Sequence, residues 1–413
     1  MRKEILSVGA ILLSAAVFIA GNGLVGTLIP VRAELAGFST LAIGIIGSAY
    51  YLGFVAGCLA GPGLLSRAGH SRCFAAGAGI AAATTLLQSM YFSESVWILT
   101  RAGFGFGAAV LYMVIESWLN ERAANEARGR IFASYMTVNY GSMIVGQMLF
   151  SSNAPTSFTL FNLAAVFYAL CLIPVSLTRL AQPERVEVPR LRPLGLYRIT
   201  PVGVVGCVAV GLANSAVWAL APLFAQDQGL TRTWLAAFMS ALTLGGALVQ
   251  LPLGRLSDRM DRRYVIAAIC AASAALGVML YVFAGAGRLQ SLLLIGAFGV
   301  TALPFYGLSV AHANDRIPRE SFVEVSATLL MLNALAACFG PTLAAIVISR
   351  FGDASLFLYT AAIHVAMLVF VIVRVRVRVA WIGETREKFA MLPQQGSPAA
   401  LELDPRGSEE KAA

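Results

Sequence analysis

The sequence predicts an all-α integral membrane protein: twelve transmembrane helices arranged as two parallel-repeat six-helix bundles. Three observations predict it. Hydrophobic residues make up 58% of the 413 and charged residues only 12%, about half the ~25% usual in soluble domains. Apolar runs of ~20 residues, each long enough to cross a bilayer core as a helix, recur from end to end. The second half of the chain also repeats uncommon residues of the first at a nearly constant offset.

Uninterrupted apolar segments place the spans near 6–29, 41–65, 73–93, 95–119, 130–150, 159–178, 199–225, 233–256, 264–284, 291–312, 324–349 and 355–375. The opening MRKEILSVGAILLSAAVFIAG has the basic start and short apolar run of a secretory signal. Its apolar stretch continues to Pro30, however, and it has a partner in the second half, so it reads as a retained first span. The six cysteines sit in or beside spans without CxxC spacing and read as buried thiols acting as small apolar residues. No metal or cofactor is expected.

The net charge of +9 does not indicate nucleic acid, because its distribution follows the membrane. With the N-terminus cytoplasmic, Arg32, Arg232, Arg288 and Arg350 lie outside, Arg101 lies within a span, and every other Lys and Arg faces inward. That is the positive-inside pattern. Residues 1–180 then form the first six-helix bundle, 181–198 a cytoplasmic central loop, 199–378 the second bundle and 379–413 a cytoplasmic tail. The tail is rich in Pro, Gln, Gly and Glu and reads as disordered. RVRVRVAW alternates like a strand, but directly after span twelve it reads as a basic anchor for anionic inner-leaflet lipids.

At an offset of 194, Tyr112 meets Tyr306, Asn120 meets Asn314, Arg122 meets Arg316, Glu126 meets Glu320, Asn139 meets Asn333 and Gly146 meets Gly340. At 192, Asn22 meets Asn214, Pro30 meets Pro222, Gly53 meets Gly245 and Arg67 meets Arg259. Six spans per half is an even number, so the repeats are parallel. Such duplicated architectures bind solute between halves near the midplane, which favours transport over catalysis or sensing.

One charged stretch interrupts the apolar landscape: GRLSDRMDRR at 254–263, with a blurred copy, PGLLSRAGHSR, 192 residues earlier. Both resemble the signature loop of the major facilitator superfamily, Gly-x-x-x-Asp-Arg-x-Gly-Arg-Arg/Lys, and RAGFGFG at 101–107 resembles that family's second motif. ESWLNERAANEARGRIFASYMTVNYGSMIVGQ and GPGLLSRAGHSR are further similar to its YcaD-like bacterial branch. The resemblance covers residues 5–378 and is nearly silent on substrate. It assigns a conformational gating loop to Arg67, Gly69, Arg72, Gly254, Asp258, Arg259, Arg262 and Arg263. Orientation alone explains the arginines but not Asp258. Paired with a nearby Arg, or aimed at a helix N-terminus, that acid would latch two helices in one state. The first copy has Pro62, Ser66 and His70 at pattern positions, so its latch is expected to be weaker or built from other groups. In the second copy Asp261 replaces the pattern's Gly and puts the turn geometry in question, although Asp tolerates the left-handed conformation.

An Arg within a span costs ~2.5–3.5 kcal/mol on insertion scales. Arg101 shares a helical face with Gly105, Ala108, Tyr112 and Glu116, a stripe expected to face water or solute; snorkelling to the headgroups is the alternative. Its repeat position is Ile295, so Arg101 is needed in one half only. Glu116 is the one acid clearly inside a span and the candidate for proton coupling, with pairing to Arg122 or Arg130 as the plainer alternative. In the family architecture the first and fourth helices of each half line the cavity. That implies a substrate cavity of Asn22, Arg101 and Tyr112 facing Asn214, Trp218 and Tyr306, joined by Asn139 and Asn333. His364 lies in a helix peripheral in the superfamily and reads as packing, His312 as facing the cytoplasm. Gly53, Gly57 and Gly61 read as close helix packing. GSMIVGQ at 141–147 lacks the Pro found at the end of span five in drug/proton antiporters, whereas span eleven carries FGP.

The resulting expectation is a secondary transporter moving a small solute by alternating access in the cell inner membrane. It is expected to be monomeric, with both termini cytoplasmic, and Glu116 is the candidate group if transport is proton-coupled. No phosphate-binding GxxxxGK[ST] loop is present to use ATP. No nucleophile–base or metal constellation suggests an enzyme. The alternative class is a membrane-embedded sensor or lipid-handling protein on the same fold.

Overall fold

A peptide group facing lipid has no water to bond, so a chain this apolar must close its backbone hydrogen bonds within each segment. The computed structural model describes residues 2–122, 128–178, 193–318, 321–377, 389, 396–397 and 399–402, and among them every regular element is helical. The first half comprises α1 (Arg2–Leu35), α2 (Thr40–Ala68), α3 (His70–Met90), α4 (Glu94–Arg122), α5 (Arg128–Leu149), α6 (Thr159–Leu170) and α7 (Leu172–Ser176). A short α8 (Pro193–Ile199) leads into the second half. There follow α9 (Pro201–Asp227), α10 (Arg232–Arg259), α11 (Arg262–Val282), α12 (Arg288–Ala302), α13 (Phe305–Asn314), α14 (Phe322–Ala337), α15 (Gly340–Phe351) and α16 (Ser355–Val377). A final turn, α17, spans Ala399–Glu402.

Eleven of the twelve expected spans are long and apolar enough to cross a bilayer. The twelfth is α5, which carries Arg130, Asn139 and Gln147 and packs along α1. Leu13, Leu52, Leu99, Leu248 and Leu293 are exposed on their helices, where lipid rather than water is the natural neighbour. All six cysteines are free.

Spans ten and eleven are each interrupted, where an unbroken helix was expected. The first breaks at Leu303–Pro304 and the second at Cys338–Phe339, ahead of Gly340–Pro341. Their repeat partners, Val110 for Pro304 and Gln147 for Pro341, lie in α4 and α5, which run unbroken. Proline has no N–H to donate and its ring crowds the preceding turn, so the duplicate halves differ where the second carries proline. The basic alternation after span twelve begins as helix, with Arg374 and Arg376 in the last turn of α16. Its remainder, 378–381, lies outside the described residues, as do 181–192 of the central loop and the Glu126–Glu320 pair.

The chain divides into two compact units. One holds 1–38, 49–189 and 395–413, the other 39–48 and 190–394. Within them the same glycine contacts occur twice. A Cβ on Gly53 would strike the Ala102 carbonyl, and one on Gly245 the Gly296 carbonyl, its repeat equivalent. Gly105 meets the Tyr50 carbonyl as Gly299 meets that of Leu242, and Gly146 meets Ala20 as Gly340 meets Leu212. Gly57 and Gly61 continue the α2–α4 seam against Ala109 and Met113. Small residues let these helices approach to backbone contact, where van der Waals packing replaces the missing hydrophobic drive.

Gly53→Ala and Gly245→Ala should each destabilise the detergent-solubilised protein by ~1–3 kcal/mol through overpacking. Gly63→Ala, whose added methyl meets nothing within 4 Å, should leave the thermal midpoint unchanged or raise it. Equal midpoints for all three would refute the seam.

Candidate functional site

In the charged loop α10 ends at Arg259, Met260 is extended, and Asp261 caps α11 with φ −61°. The turn is therefore not left-handed. Asp261 accepts from the Arg263 backbone N–H at 2.9 Å and from its guanidinium at 2.7 Å. Burial alone would raise the Asp261 carboxyl's pKa, but the Arg263 side-chain and backbone hydrogen bonds outweigh it and hold it below the usual carboxylate value. Arg262 is the hub. It is 2% exposed, and its guanidinium reaches Asp258 at 2.9 Å, Asp315 at 2.8 Å and the Ser257 hydroxyl at 2.7 Å. Asp258 is thus one of two carboxylates on Arg262, which ties α10 and α11 to the residue just after α13. Arg259 is exposed. Gly254 is buried against the Phe389 ring, and the Phe389 N–H donates to Asp258 at 2.9 Å.

Asp315 was not anticipated. A signal existed, since Glu121 occupies its repeat position beside the noted Arg122–Arg316 pair. In the first half the ionic hub is absent from the equivalent positions. The Ser66 hydroxyl turns back to the Gly63 carbonyl at 2.9 Å. His70, at the Arg262 position, is buried with its ring centroid 6.1 Å from that of Trp118. Here Gly69 is at φ 80°, as the pattern's glycine requires, while Arg67 and Arg72 are exposed. His312, the repeat partner of Trp118, is buried rather than facing the cytoplasm. His364 is also buried, with Nδ1 2.7 Å from the Thr360 carbonyl.

Inside the first unit, α4 presents three polar stations. Arg101 is 9% exposed and does not snorkel. Its guanidinium lies 4.9 Å from the Tyr50 ring centroid and 5.1 Å from that of Phe104, within cation–π range. Its Nε and Nη1 have no hydrogen-bond partner among the described residues. The stripe between Arg101 and Tyr112 is not an open wall as expected, because Gly105 is pressed onto α2 and Ala108 is fully buried. About three turns along α4 from Arg101, Asn22 joins two phenols, reaching the Tyr112 hydroxyl at 3.4 Å and accepting from that of Tyr168 at 3.3 Å.

The third station is Glu116, fully buried. It pairs with neither Arg122 nor Arg130 among the described residues. The Tyr135 hydroxyl donates to its Oε1 at 3.0 Å, and Tyr135 also hydrogen-bonds Asn139. Oε2 accepts from the Ser397 backbone N–H at 2.8 Å and from its hydroxyl at 2.5 Å. The tail expected to be disordered is thus ordered at 389, 396–397 and 399–402, with α17 packed on α4. Buried polar partners hold a segment whose composition alone reads as unstructured.

The second unit does not assemble its candidates in the same way. The Asn214 amide donates to the Ala302 carbonyl at 3.2 Å, beside the break between α12 and α13. The Tyr306 hydroxyl and Asn333 Oδ1 are buried without hydrogen-bond partners among the described residues, and Trp218 is half-buried. No cluster of His, Cys, Asp and Glu fit for a metal occurs among the described residues.

A duplicated apolar helical bundle with an acid–arginine hub at one inter-helix turn defines a class. The Major Facilitator Superfamily profile matches residues 11–321 and 203–403, and the chain belongs to that superfamily of multi-pass membrane transporters of small solutes. Its relatives include the uncharacterized MFS-type transporter Ent638_1421 of Enterobacter sp. (strain 638), 25% identical over 86% of this chain and 91% of the other. The uncharacterized MFS-type transporter YcaD of Shigella flexneri is 25% identical over 88% and 93%. Among solved structures, the nucleoside transporter NupG superposes with a TM-score of 0.72 at 13% identity, covering 90% of this chain and 99% of that one.

Asp315→Asn should cost ~3 kcal/mol by stripping a partner from a buried Arg, and adding Arg262→Met should recover most of it. Equal midpoints for wild type and Asp315→Asn in thermal unfolding would remove the hub from the fold's energetics. For Asp261 the folded value lies below the unfolded one, so its cap contributes fully above about pH 4 and is lost as pH falls through the lowered value. Asp261→Asn should flatten that acid limb of stability.

Proposed function

We propose that the chain is a secondary transporter that moves a small anionic or zwitterionic solute across the cell inner membrane by alternating access. The carrying observation is the Arg101 guanidinium, buried under aromatic rings with two nitrogens lacking acceptors. A buried donor without a partner costs ~1–3 kcal/mol, more when charged. A solute carboxylate or phosphate would repay that cost, and Arg is the residue suited to hold it in a bidentate pair. The Tyr112–Asn22–Tyr168 cluster offers the next hydrogen bonds inward, and Glu116 is the candidate proton-coupling group. Asn139, Asn214, Trp218, Tyr306 and Asn333 complete the proposed cavity set, the unpartnered Tyr306 hydroxyl being the second unit's strongest candidate.

The Asp258–Arg262–Asp315 hub is read as the latch that the transport cycle breaks, with Arg67, Gly69, Arg72, Gly254, Arg259 and Arg263 shaping the two turns. The excess of inward Lys and Arg supports cytoplasmic termini seated against anionic lipids, and the carrier is read as monomeric. Relatives and structural neighbours that are themselves named as transporters support the class.

Thermal unfolding of the detergent-purified protein is the test, run against carboxylates, organic phosphates, amino acids, sugars and nucleosides. A ligand at 100 times its dissociation constant should stabilise by ~2.7 kcal/mol. The shift should vanish in Arg101→Ala and persist only weakly in Arg101→Lys. Stabilisation by neutral solutes alone, unchanged in Arg101→Ala, would overturn the assignment of Arg101.

A further inference from the structure

We infer that the C-terminal segment is a tethered, autoinhibitory occupant of the Glu116 site, with Ser397 filling a carboxylate socket that any other ligand of that site must compete for. Three features carry this. Ser397 supplies two donors, N–H and O–H, to one oxygen of a fully buried acid that has no cationic partner among the described residues. The Ala399 N–H donates to the Ser397 hydroxyl at 3.2 Å, which leaves the hydroxyl proton directed at Glu116. Ser397, Ala399 and Ala400 are all but fully withdrawn from solvent, so the segment is inserted rather than draped.

Tyr135 satisfies only Oε1, and a buried carboxylate oxygen left without donors is strongly disfavoured. The Glu116 site therefore needs an occupant that presents neighbouring N–H and O–H groups, and the chain carries its own. Tethering gives such a segment an effective concentration in the millimolar range, enough to hold the site against a weak free ligand. Its regulatory meaning rests on the transport reading, because release of Ser397 would free the group assigned to proton coupling.

The test uses the full chain and two probes. Hydrogen exchange of wild type should find the Ser397 and Ala399 amides at least about tenfold slower than in the free peptide QGSPAALE, residues 395–402. Labelling by a hydrophobic carbodiimide, which attacks buried carboxyl groups, should modify Glu116 slowly in wild type. It should be several-fold faster in Ser397→Pro, which deletes the two Ser397 donors without adding charge and leaves only the Ala400 N–H of the segment to bond Glu116. The free peptide at about 1–10 mM should restore protection to Ser397→Pro, and the same peptide carrying the Ser397→Pro change should not. Peptide-like exchange at 397 and 399 in wild type, or equal Glu116 labelling in both proteins, would overturn the inference. Neither readout involves solute movement, so its failure would leave the transport reading standing, and a failed solute screen would leave the docking result standing.

Discussion

The close approach of α2 to α4, and of α10 to α12, is the constraint from which the polar chemistry of this bundle follows. Hydrocarbon offers helices no hydrophobic reason to associate, so contact must come from packing. Glycines at equivalent positions of the two halves let carbonyls of the neighbouring helix fill the space a side chain would occupy. In the first half, Gly105 seats the Tyr50 backbone, and that contact carries the Tyr50 ring over Arg101, one turn away on α4. A bulkier residue at 105 would separate the helices and remove the aromatic cover that makes an intramembrane Arg tolerable.

On this shared scaffold the two halves have diverged in their electrostatics. At the turn after its second helix, the second half concentrates charge in Arg262, flanked by Asp258 and Asp315. The first half places Ser66 and His70 there and substitutes ring packing on Trp118. Within the spans the bias is reversed. The first half buries Arg101 and Glu116, while the equivalent helix of the second offers Ile295 and a proline break at Pro304. One half thus carries an ionic hub at its rim and the other ionisable groups in its interior.

The tail shows how composition misleads when a segment is short. Its Pro, Gln and Gly content cannot build a core, and by that measure it has no reason to order. Only a few of its residues need ordering, however, and the deep carboxylate of Glu116 rewards Ser397 with two charge-assisted hydrogen bonds. Buried acids recruit donors wherever the chain can deliver them.

By itself the sequence determined the helical class, the spans and the duplicate halves. These are legible because hydropathy is a property of consecutive residues and because a duplication preserves spacing, as the Gly53–Gly245 and Asn22–Asn214 pairs do. It also marked Arg101, Glu116 and Asp258 as residues that lipid burial or topology could not explain. Their partners were decided by tertiary structure alone. Tyr50 over Arg101, Asp315 on Arg262, and Tyr135 with Ser397 on Glu116 are separated by 19 to 281 positions in the chain. The reason is physical: a buried charge requires donors, acceptors or a ring from some neighbour, but which neighbour is set by how helices pack. No local pattern records that choice.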